Sequence, residues 1–104
     1  MKADLNSILS STKPVLVDFY TEWCQPCQTL IPVLHEIVSD LGDRIKVIKI
    51  DIEKNRKLSL MFGVGQLPTL MLFNNGKLKW RNAGFISRAG LMEVIFQRSW
   101  AEMV

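Results

Sequence analysis

Apolar runs of strand length recur along the chain and predict the strands of a sheet. They occupy residues 14–20, 44–52 and 69–73. Short apolar runs bounded by turn residues are typical of buried strands. The Asn-Asn-Gly sequence at residues 74–76 predicts a hairpin turn, because Asn and Gly tolerate positive φ, and residues 78–82 predict the returning strand.

Segments with apolar residues at helical spacing alternate with these runs. Asp4 can cap a short helix that ends near Ser11. Residues 25–41 predict a long helix that Gly42 ends, and Pro32 within it should bend it because a proline removes one backbone hydrogen bond. The apolar face of this long helix is formed by Leu30, Ile31, Leu34, Ile37, Val38 and Leu41.

Two further helices complete the pattern and indicate the fold class. Residues 54–62 predict one of them, and Ser87 caps the other. The last helix carries Leu91, Val94, Ile95 and Trp100. Strands that alternate with helices pair in parallel, and the hairpin adds one antiparallel strand. We therefore expect an α/β fold with a mixed sheet, helices on both faces and a single domain over residues 1–104.

Composition and charge narrow the class of protein. With 48% hydrophobic and 22% charged residues, the chain resembles an ordinary globular domain. Its net charge of +3 comes from scattered basic residues, which argues against nucleic-acid binding. Residues 1–9 lack the apolar stretch of a secretory signal, and no run of about 18 apolar residues predicts a membrane span. We expect a cytoplasmic protein that binds neither nucleic acid nor membrane.

The chemistry is indicated by the two cysteines of the chain, Cys24 and Cys27, which lie on a strand-to-helix turn. A Cys-x-x-Cys pair in this setting is typical of a redox dithiol. A purely structural disulfide is the weaker interpretation, because so short a loop constrains the unfolded chain very little. Zinc needs about four ligands, and the one histidine, His35, lies about 12 Å further along the helix. We expect no metal and no cofactor.

The two cysteines are predicted to have different roles. Cys24 at the helix N-terminus faces unpaired amides and the positive end of the helix dipole, which favour its thiolate. It should attack a substrate disulfide, and the more buried Cys27 should then resolve the mixed disulfide. Asp18 is the second informative residue, because an acid inside an apolar strand is costly to bury charged and its pKa should be raised.

Taken together, these segments resemble the thioredoxin family over nearly the whole chain from Asp4 onward. The matching motifs are Val-Leu-Val-Asp-Phe at 15–19, Glu-Trp-Cys-Gln-Pro-Cys at 22–27, Pro32, Val-Ile-Lys-Ile-Asp at 47–51, Leu-Pro-Thr at 67–69, Leu-Phe at 72–73, Asn-Gly at 75–76 and Gly84. The resemblance implies a thioredoxin fold. We expect four strands rather than the family's five, because too few residues precede Asp4 for the first edge strand.

The resemblance also implies further site residues. Asp18 would act as general acid and base for Cys27, with Lys49 on the neighbouring strand as its modulating partner, although a strand lysine with its head in solvent is also common. The Leu67-Pro68 bond would be cis and would leave the Leu67 backbone free to pair with substrate. The implied substrate surface comprises Trp23, Gln25, Pro26, Gly65, Leu67, Pro68 and Gly84. Trp80 and Trp100 are interpreted as packing residues.

The function implied is reduction of protein disulfides through a Cys24/Cys27 dithiol–disulfide cycle. Its partners would be disulfide-containing proteins and an NADPH-dependent thioredoxin reductase, and the protein would act as a monomer. Two alternatives stay open. One is an interaction or chaperone subunit that needs no turnover, and the other is an oxidase or isomerase in an oxidising compartment.

Two positions depart from the family pattern. Gln25 replaces the usual glycine between the first cysteine and the proline, which should alter the reduction potential in a direction the sequence does not give. Tyr20 replaces the family's usual second tryptophan, and we expect this change to matter little for the chemistry.

Overall fold

The predicted apolar runs form the strands of the sheet in the computed structural model, which describes residues 5–100. The strands are β1 (Val15–Tyr20), β2 (Lys46–Asp51), β3 (Thr69–Asn74) and β4 (Lys77–Ala83). The helices are α1 (Leu5–Leu9), α2 (Gln25–Leu41), α3 (Arg56–Met61) and α4 (Arg88–Ile95). A 3₁₀ turn at Gly42–Arg44 follows α2, and a π-helical turn at Phe96–Trp100 follows α4.

The sheet is mixed, as the alternation of strands and helices predicts. Within residues 5–100 it has four strands in the order β2-β1-β3-β4. β1 pairs in parallel with β2 and antiparallel with β3, and β3 pairs antiparallel with β4. The hairpin between β3 and β4 turns through Asn75 and Gly76, which have φ of 54° and 77°. Positive φ at both positions matches the twist of the flanking strands.

Helices cover both faces of the sheet, which confirms the predicted layers. The face under α2 and α4 carries a buried apolar cluster of Leu16, Leu30, Leu34, Ile37, Leu41, Ile45, Leu70, Leu72, Leu91 and Ile95. The opposite face, under α1 and α3, carries Ile8, Val15, Val17, Phe19, Ile50, Met71 and Phe73. Because side chains alternate along a strand, neighbouring residues of β1 belong to different clusters.

Several predicted details of α2 and β2 are wrong. Val38 is 45% exposed, so it does not belong to the apolar face of α2. Arg44 lies in the 3₁₀ turn rather than in a strand, because its guanidinium donates hydrogen bonds to the carbonyl oxygens of Asp40 and Leu41 at the end of α2. β2 ends at Asp51, before Ile52.

The short helices also differ from the predicted bounds. α3 begins at Arg56 rather than residue 54, because Lys54 N–H bonds back to the Asp51 carbonyl in a turn. α1 ends at Leu9, two residues before the predicted end. The predicted cap at Asp4 lies outside the described residues.

The pairing registers bring four chain segments to one end of the sheet. Tyr20 at the end of β1 lies opposite Asp51 at the end of β2. Thr69 at the start of β3 lies opposite Phe19 and Ala83. We call this the dithiol end, because the loop after Tyr20 leads there into α2 and the cysteine pair.

Candidate active site

The cysteine pair occupies the first turn of α2. Cys24 is the N-cap of the helix, and its sulfur accepts a hydrogen bond from the backbone N–H of Cys27 at 3.1 Å. Pro26 fits the first turn, where a backbone N–H has no helical partner to lose. A disulfide joins Cys24 to Cys27, whose Cα atoms are 5.2 Å apart. The structure is therefore that of the oxidised protein.

The two sulfurs differ in their access to solvent. Cys27 is 2% exposed, whereas Cys24 is partly exposed at the helix end. Trp23, just before Cys24, is 83% exposed. The Cys27 N–H and the helix dipole both act on the Cys24 sulfur, and both favour negative charge there. The geometry suits Cys24 as the atom that meets a substrate and Cys27 as the atom behind it.

Asp18 is a carboxylic acid buried in the middle of β1. It is 1% exposed, and its Oδ1 has no hydrogen-bond partner among the described residues. Burial raises the pKa of Asp18 from 3.8 to about 6, while the positive charge of Lys49 acts in the opposite direction. The prediction of a raised pKa at this position agrees with the structure. Such a group can hold or release a proton close to neutral pH.

The position of Asp18 relative to the cysteines follows from the alternation of β1. Asp18 lies on the same face as Leu16, which packs in one cluster with Leu30 and Leu34 of α2. Asp18 is two residues closer to the dithiol end than Leu16. The acid therefore lies on the face that α2 covers, towards the first turn of the helix, where Cys27 is buried.

Lys49 lies across from Asp18, but its side chain also meets a residue to which sequence reasoning gave no role. The Cα atoms of Lys49 and Asp18 are register partners in the parallel pair. The Lys49 Nζ lies 4.8 Å from the ring centroid of Tyr20. The sequence does contain a signal for this contact. Tyr20 is an aromatic residue on the same face of β1 as Asp18, and the neighbouring strand carries Lys49.

The loop before β3 approaches the same end of the sheet. The Leu67-Pro68 peptide bond is cis, as the resemblance implies. The Pro68 carbonyl accepts a hydrogen bond of 2.8 Å from the N–H of Gly84, which has a φ of 101°. The Thr69 hydroxyl donates to the Gln66 carbonyl. These bonds fasten the proline loop to the ends of β3 and β4.

The other predicted surface residues differ in exposure. Gln25, Pro26 and Gly65 are exposed, Gly84 and Leu67 are half-buried, and Pro68 is buried. Trp23 lines a cavity of about 300 Å³ with Glu22, Asp51, Glu53 and Lys54. The structure thus brings these residues towards the dithiol end, and their part in substrate binding stays a prediction.

Residues outside the site behave as packing or surface residues. Trp80 and Trp100 pack against the apolar cluster under α2 and α4, which confirms their predicted role, and His35 is exposed on α2. Within residues 5–100, no three His, Cys, Asp or Glu side chains are grouped so that they could hold a metal ion. None of the helices in this part of the chain combines the length and the apolar composition that a membrane span requires.

Comparisons with known proteins agree with this geometry. The family model named Thioredoxin matches residues 1–97. The thioredoxins of Rickettsia typhi and Rickettsia prowazekii are 43% and 42% identical to the chain over 90 residues, which cover 86% of this chain and 86% of each relative. The solved structure of a mutant thioredoxin from Halobacterium salinarum superposes with a TM-score of 0.84 at 32% identity, covering 94% of this chain and 87% of that one.

Proposed function

The chain belongs to the thioredoxin family and is a protein-disulfide reductase with the thioredoxin fold, and we propose that Cys24 and Cys27 carry its dithiol–disulfide cycle in unequal roles. Membership of the family implies disulfide-containing substrate proteins and a reductase that supplies electrons. The observation that supports the roles most strongly is the disulfide between the partly exposed Cys24 and the buried Cys27.

The first step of the proposed cycle is attack by the Cys24 thiolate. One sulfur of the substrate disulfide forms a bond to Cys24, the substrate S–S bond breaks, and the released substrate thiolate takes up a proton. The product is a mixed disulfide between Cys24 and the substrate. The N-cap position supports this step, because the helix amides and dipole stabilise the negative sulfur before it reacts.

The second step resolves the mixed disulfide from within the protein. The Cys27 thiol loses its proton, its sulfur attacks the Cys24 sulfur, the bond between Cys24 and the substrate breaks, and the second substrate thiolate leaves and takes up a proton. The substrate has then gained two electrons and two protons, and the protein holds the Cys24–Cys27 disulfide. A reductase returns two electrons and two protons to complete the cycle.

Asp18 is proposed as the group that takes the Cys27 proton. Support comes from its burial on the face that α2 covers and from its pKa, which burial raises to about 6. At pH 7 such a carboxyl is mostly ionised and can accept a proton, yet it holds that proton more tightly than an ordinary aspartate does. Lys49 is proposed as the modulating charge, since it lowers the same pKa.

A substrate surface around the dithiol is proposed from the exposed residues of that end. Trp23, Gln25, Pro26 and Gly65 are exposed, so a partner can reach them. The Leu67 backbone is proposed to pair with an extended substrate segment beside Pro68 and Gly84, as in strand addition. Such pairing recognises main chain, so it suits a reductant that acts on many proteins.

The setting of the reaction is also a proposal. We propose that the electron donor is an NADPH-dependent reductase and that the protein acts in the cytoplasm as a monomer. A cellular compartment that keeps thiols reduced suits a protein whose two cysteines form a redox pair.

Trapping of intermediates tests the unequal roles of the two cysteines. Reduced Cys27→Ser and Cys24→Ser variants are mixed with insulin as the disulfide substrate, and the products are analysed by non-reducing mass spectrometry. Cys27→Ser should accumulate a covalent complex through Cys24, because no internal thiol can resolve it. Cys24→Ser should form essentially none, and both variants should lose catalytic turnover with dithiothreitol as donor.

The opposite trapping pattern, or equal trapping by both variants, would contradict the assignment. The double Cys→Ser variant extends the test to function in the cell. Full retention of function by that variant would favour the interaction-subunit alternative over the reductase cycle.

A further inference from the structure

Three side chains form a connected group on the α2 face of the sheet. Asp18 and Tyr20 are two residues apart on β1, so both point to the same side of the strand. Lys49 on β2 is the register partner of Asp18, and its ammonium lies 4.8 Å from the Tyr20 ring centroid. One cation therefore interacts with both the ring and the buried acid.

Within the described part of the chain, Lys49 makes no salt bridge or side-chain hydrogen bond, so the Tyr20 ring is the contact that can hold its head close to the acid. Lys49 is exposed, and it lies on the outer strand of the four-stranded sheet described. A long flexible lysine on such a strand can extend its charge into water, where the solvent screens it. An aromatic face within about 6 Å attracts an ammonium and so limits this movement.

We propose that Tyr20 is a positioning residue whose ring holds the Lys49 ammonium near Asp18 and so keeps its attraction on the acid strong. The inference rests on the proposed role of Asp18 in the resolving step. It gives the aromatic ring at position 20 a role that the sequence analysis did not assign, and it leaves untested the expectation that tyrosine in place of tryptophan matters little. Lys49 acts on the proton acceptor, and Tyr20 acts through Lys49.

Among residues 5–100, Lys49 is the charged group that shifts the pKa of Asp18. Asp51 lies opposite Tyr20 in register, but its Oδ1 already accepts a hydrogen bond from the Glu53 N–H. Glu22 in the loop before α2 is exposed to solvent. From the helix side, residues 25–32 carry no charged side chain, and Cys27 is the titratable group among them once the disulfide is reduced. Leu70 faces Asp18 from β3.

The experiment measures the pKa of Asp18 in the oxidised protein by following its side-chain carboxyl carbon in an NMR titration. The unsubstituted protein should titrate at about 6. Tyr20→Phe keeps the ring and should leave this value unchanged. Tyr20→Leu removes the ring and should raise it by about half a unit, because Lys49 then attracts the carboxylate less strongly. Lys49→Met should raise it at least as far.

The double variant decides whether Tyr20 acts through Lys49. Tyr20→Leu should add nothing to the shift that Lys49→Met already causes. An unchanged Asp18 pKa in Tyr20→Leu, or a full additional shift in the double variant, would overturn the inference. If Tyr20→Leu does not fold, the unsubstituted protein still gives an answer. The Lys49 ε-methylene protons should show upfield ring-current shifts, and ordinary random-coil shifts would equally overturn the inference.

A further variant separates this inference from the proposed function. If Asp18→Asn resolves mixed disulfides as fast as the unsubstituted protein, the proposed role of Asp18 fails. The link between Tyr20, Lys49 and the Asp18 pKa is measured without turnover, so its result is independent of that outcome.

Discussion

The two faces of β1 have opposite characters, although they belong to the same six residues. Val15, Val17 and Phe19 face α1 and α3 and are buried in a wholly apolar cluster. On the other face, the apolar Leu16 is followed by the buried Asp18 and the half-buried Tyr20. One face of the strand thus supplies packing. The other gives up apolar packing at the position where a proton acceptor is proposed.

The free-energy cost of burying Asp18 on the α2 face follows from its pKa. A pKa raised from 3.8 to about 6 means that the folded protein holds the charged form of Asp18 less well than the unfolded chain does. The corresponding penalty above pH 6 is on the order of 3 kcal/mol. That is a substantial fraction of the stability of a small domain. The proposed transfer of the Cys27 proton to Asp18 would explain why so costly a group is present.

The largest expected effect on stability is on the apolar face. Phe19→Ala should lower the free energy of unfolding by about 3–5 kcal/mol, because Phe19 is fully buried and packs against the ring of Phe62. Urea denaturation measures the loss. Phe85→Ala is a matched control, since Phe85 is half-exposed, and it should cost about 1 kcal/mol or less. Equal costs for the two variants would contradict the assignment of the core.

On the α2 face of β1, a substitution is expected to increase the stability rather than to lower it. Asp18→Asn should stabilise the oxidised protein by about 1–3 kcal/mol at pH 8, because it removes a buried charge. Since the folded pKa is raised, the native protein loses stability as the pH rises from 3.8 to about 6. The advantage of Asp18→Asn should therefore appear across that window and vanish below it. Urea midpoints between pH 3 and pH 8 measure this, and a gain independent of pH would contradict the raised pKa.

A smaller effect is expected where the β3–β4 hairpin meets α1, the helix that covers the apolar face. A Cβ at Gly76 would lie 2.7 Å from the Leu9 carbonyl oxygen, and its φ is 77°. Gly42 has a similar φ of 57° but open space around it. Gly76→Ala should cost about 2 kcal/mol and Gly42→Ala about 1, since both share the strain and only one adds the clash. Thermal unfolding measures the loss of stability in both variants. Equal losses would show that the hairpin moves to relieve the clash, which would contradict the larger cost expected for Gly76→Ala.

How much of this could be read from the sequence depends on whether a feature is local. The apolar runs predicted the strands, and the spacing of Cys24 and Cys27 predicted a redox pair. Asp18 was recognisable as a costly acid because its neighbours in the chain are apolar. The cis bond before Pro68 came from family resemblance, since a proline that opens a strand gives no local sign of its isomer.

The features that could not be predicted depend on contacts between segments. The contact of Lys49 with Tyr20 depends on the register of two strands that are 25 residues or more apart in the chain. Val38 lies at helical spacing from the other apolar residues of α2, but it is exposed. The elements that pack against α2 decide which residues of the helix are buried, and the sequence of α2 alone does not show this. Arg44 lies outside the predicted strand because its guanidinium donates hydrogen bonds to the carbonyl oxygens at the end of α2.

The most direct test of the central claim is the fate of the mixed disulfide in Asp18→Asn. Reduced protein is mixed with a disulfide substrate between pH 6 and pH 8, quenched with acid at set times and analysed by mass spectrometry. Asp18→Asn should accumulate the Cys24–substrate adduct and resolve it on the order of 100-fold more slowly than the unsubstituted protein. Equal resolution rates and no accumulation across that range would contradict a role for Asp18 in the transfer of the Cys27 proton.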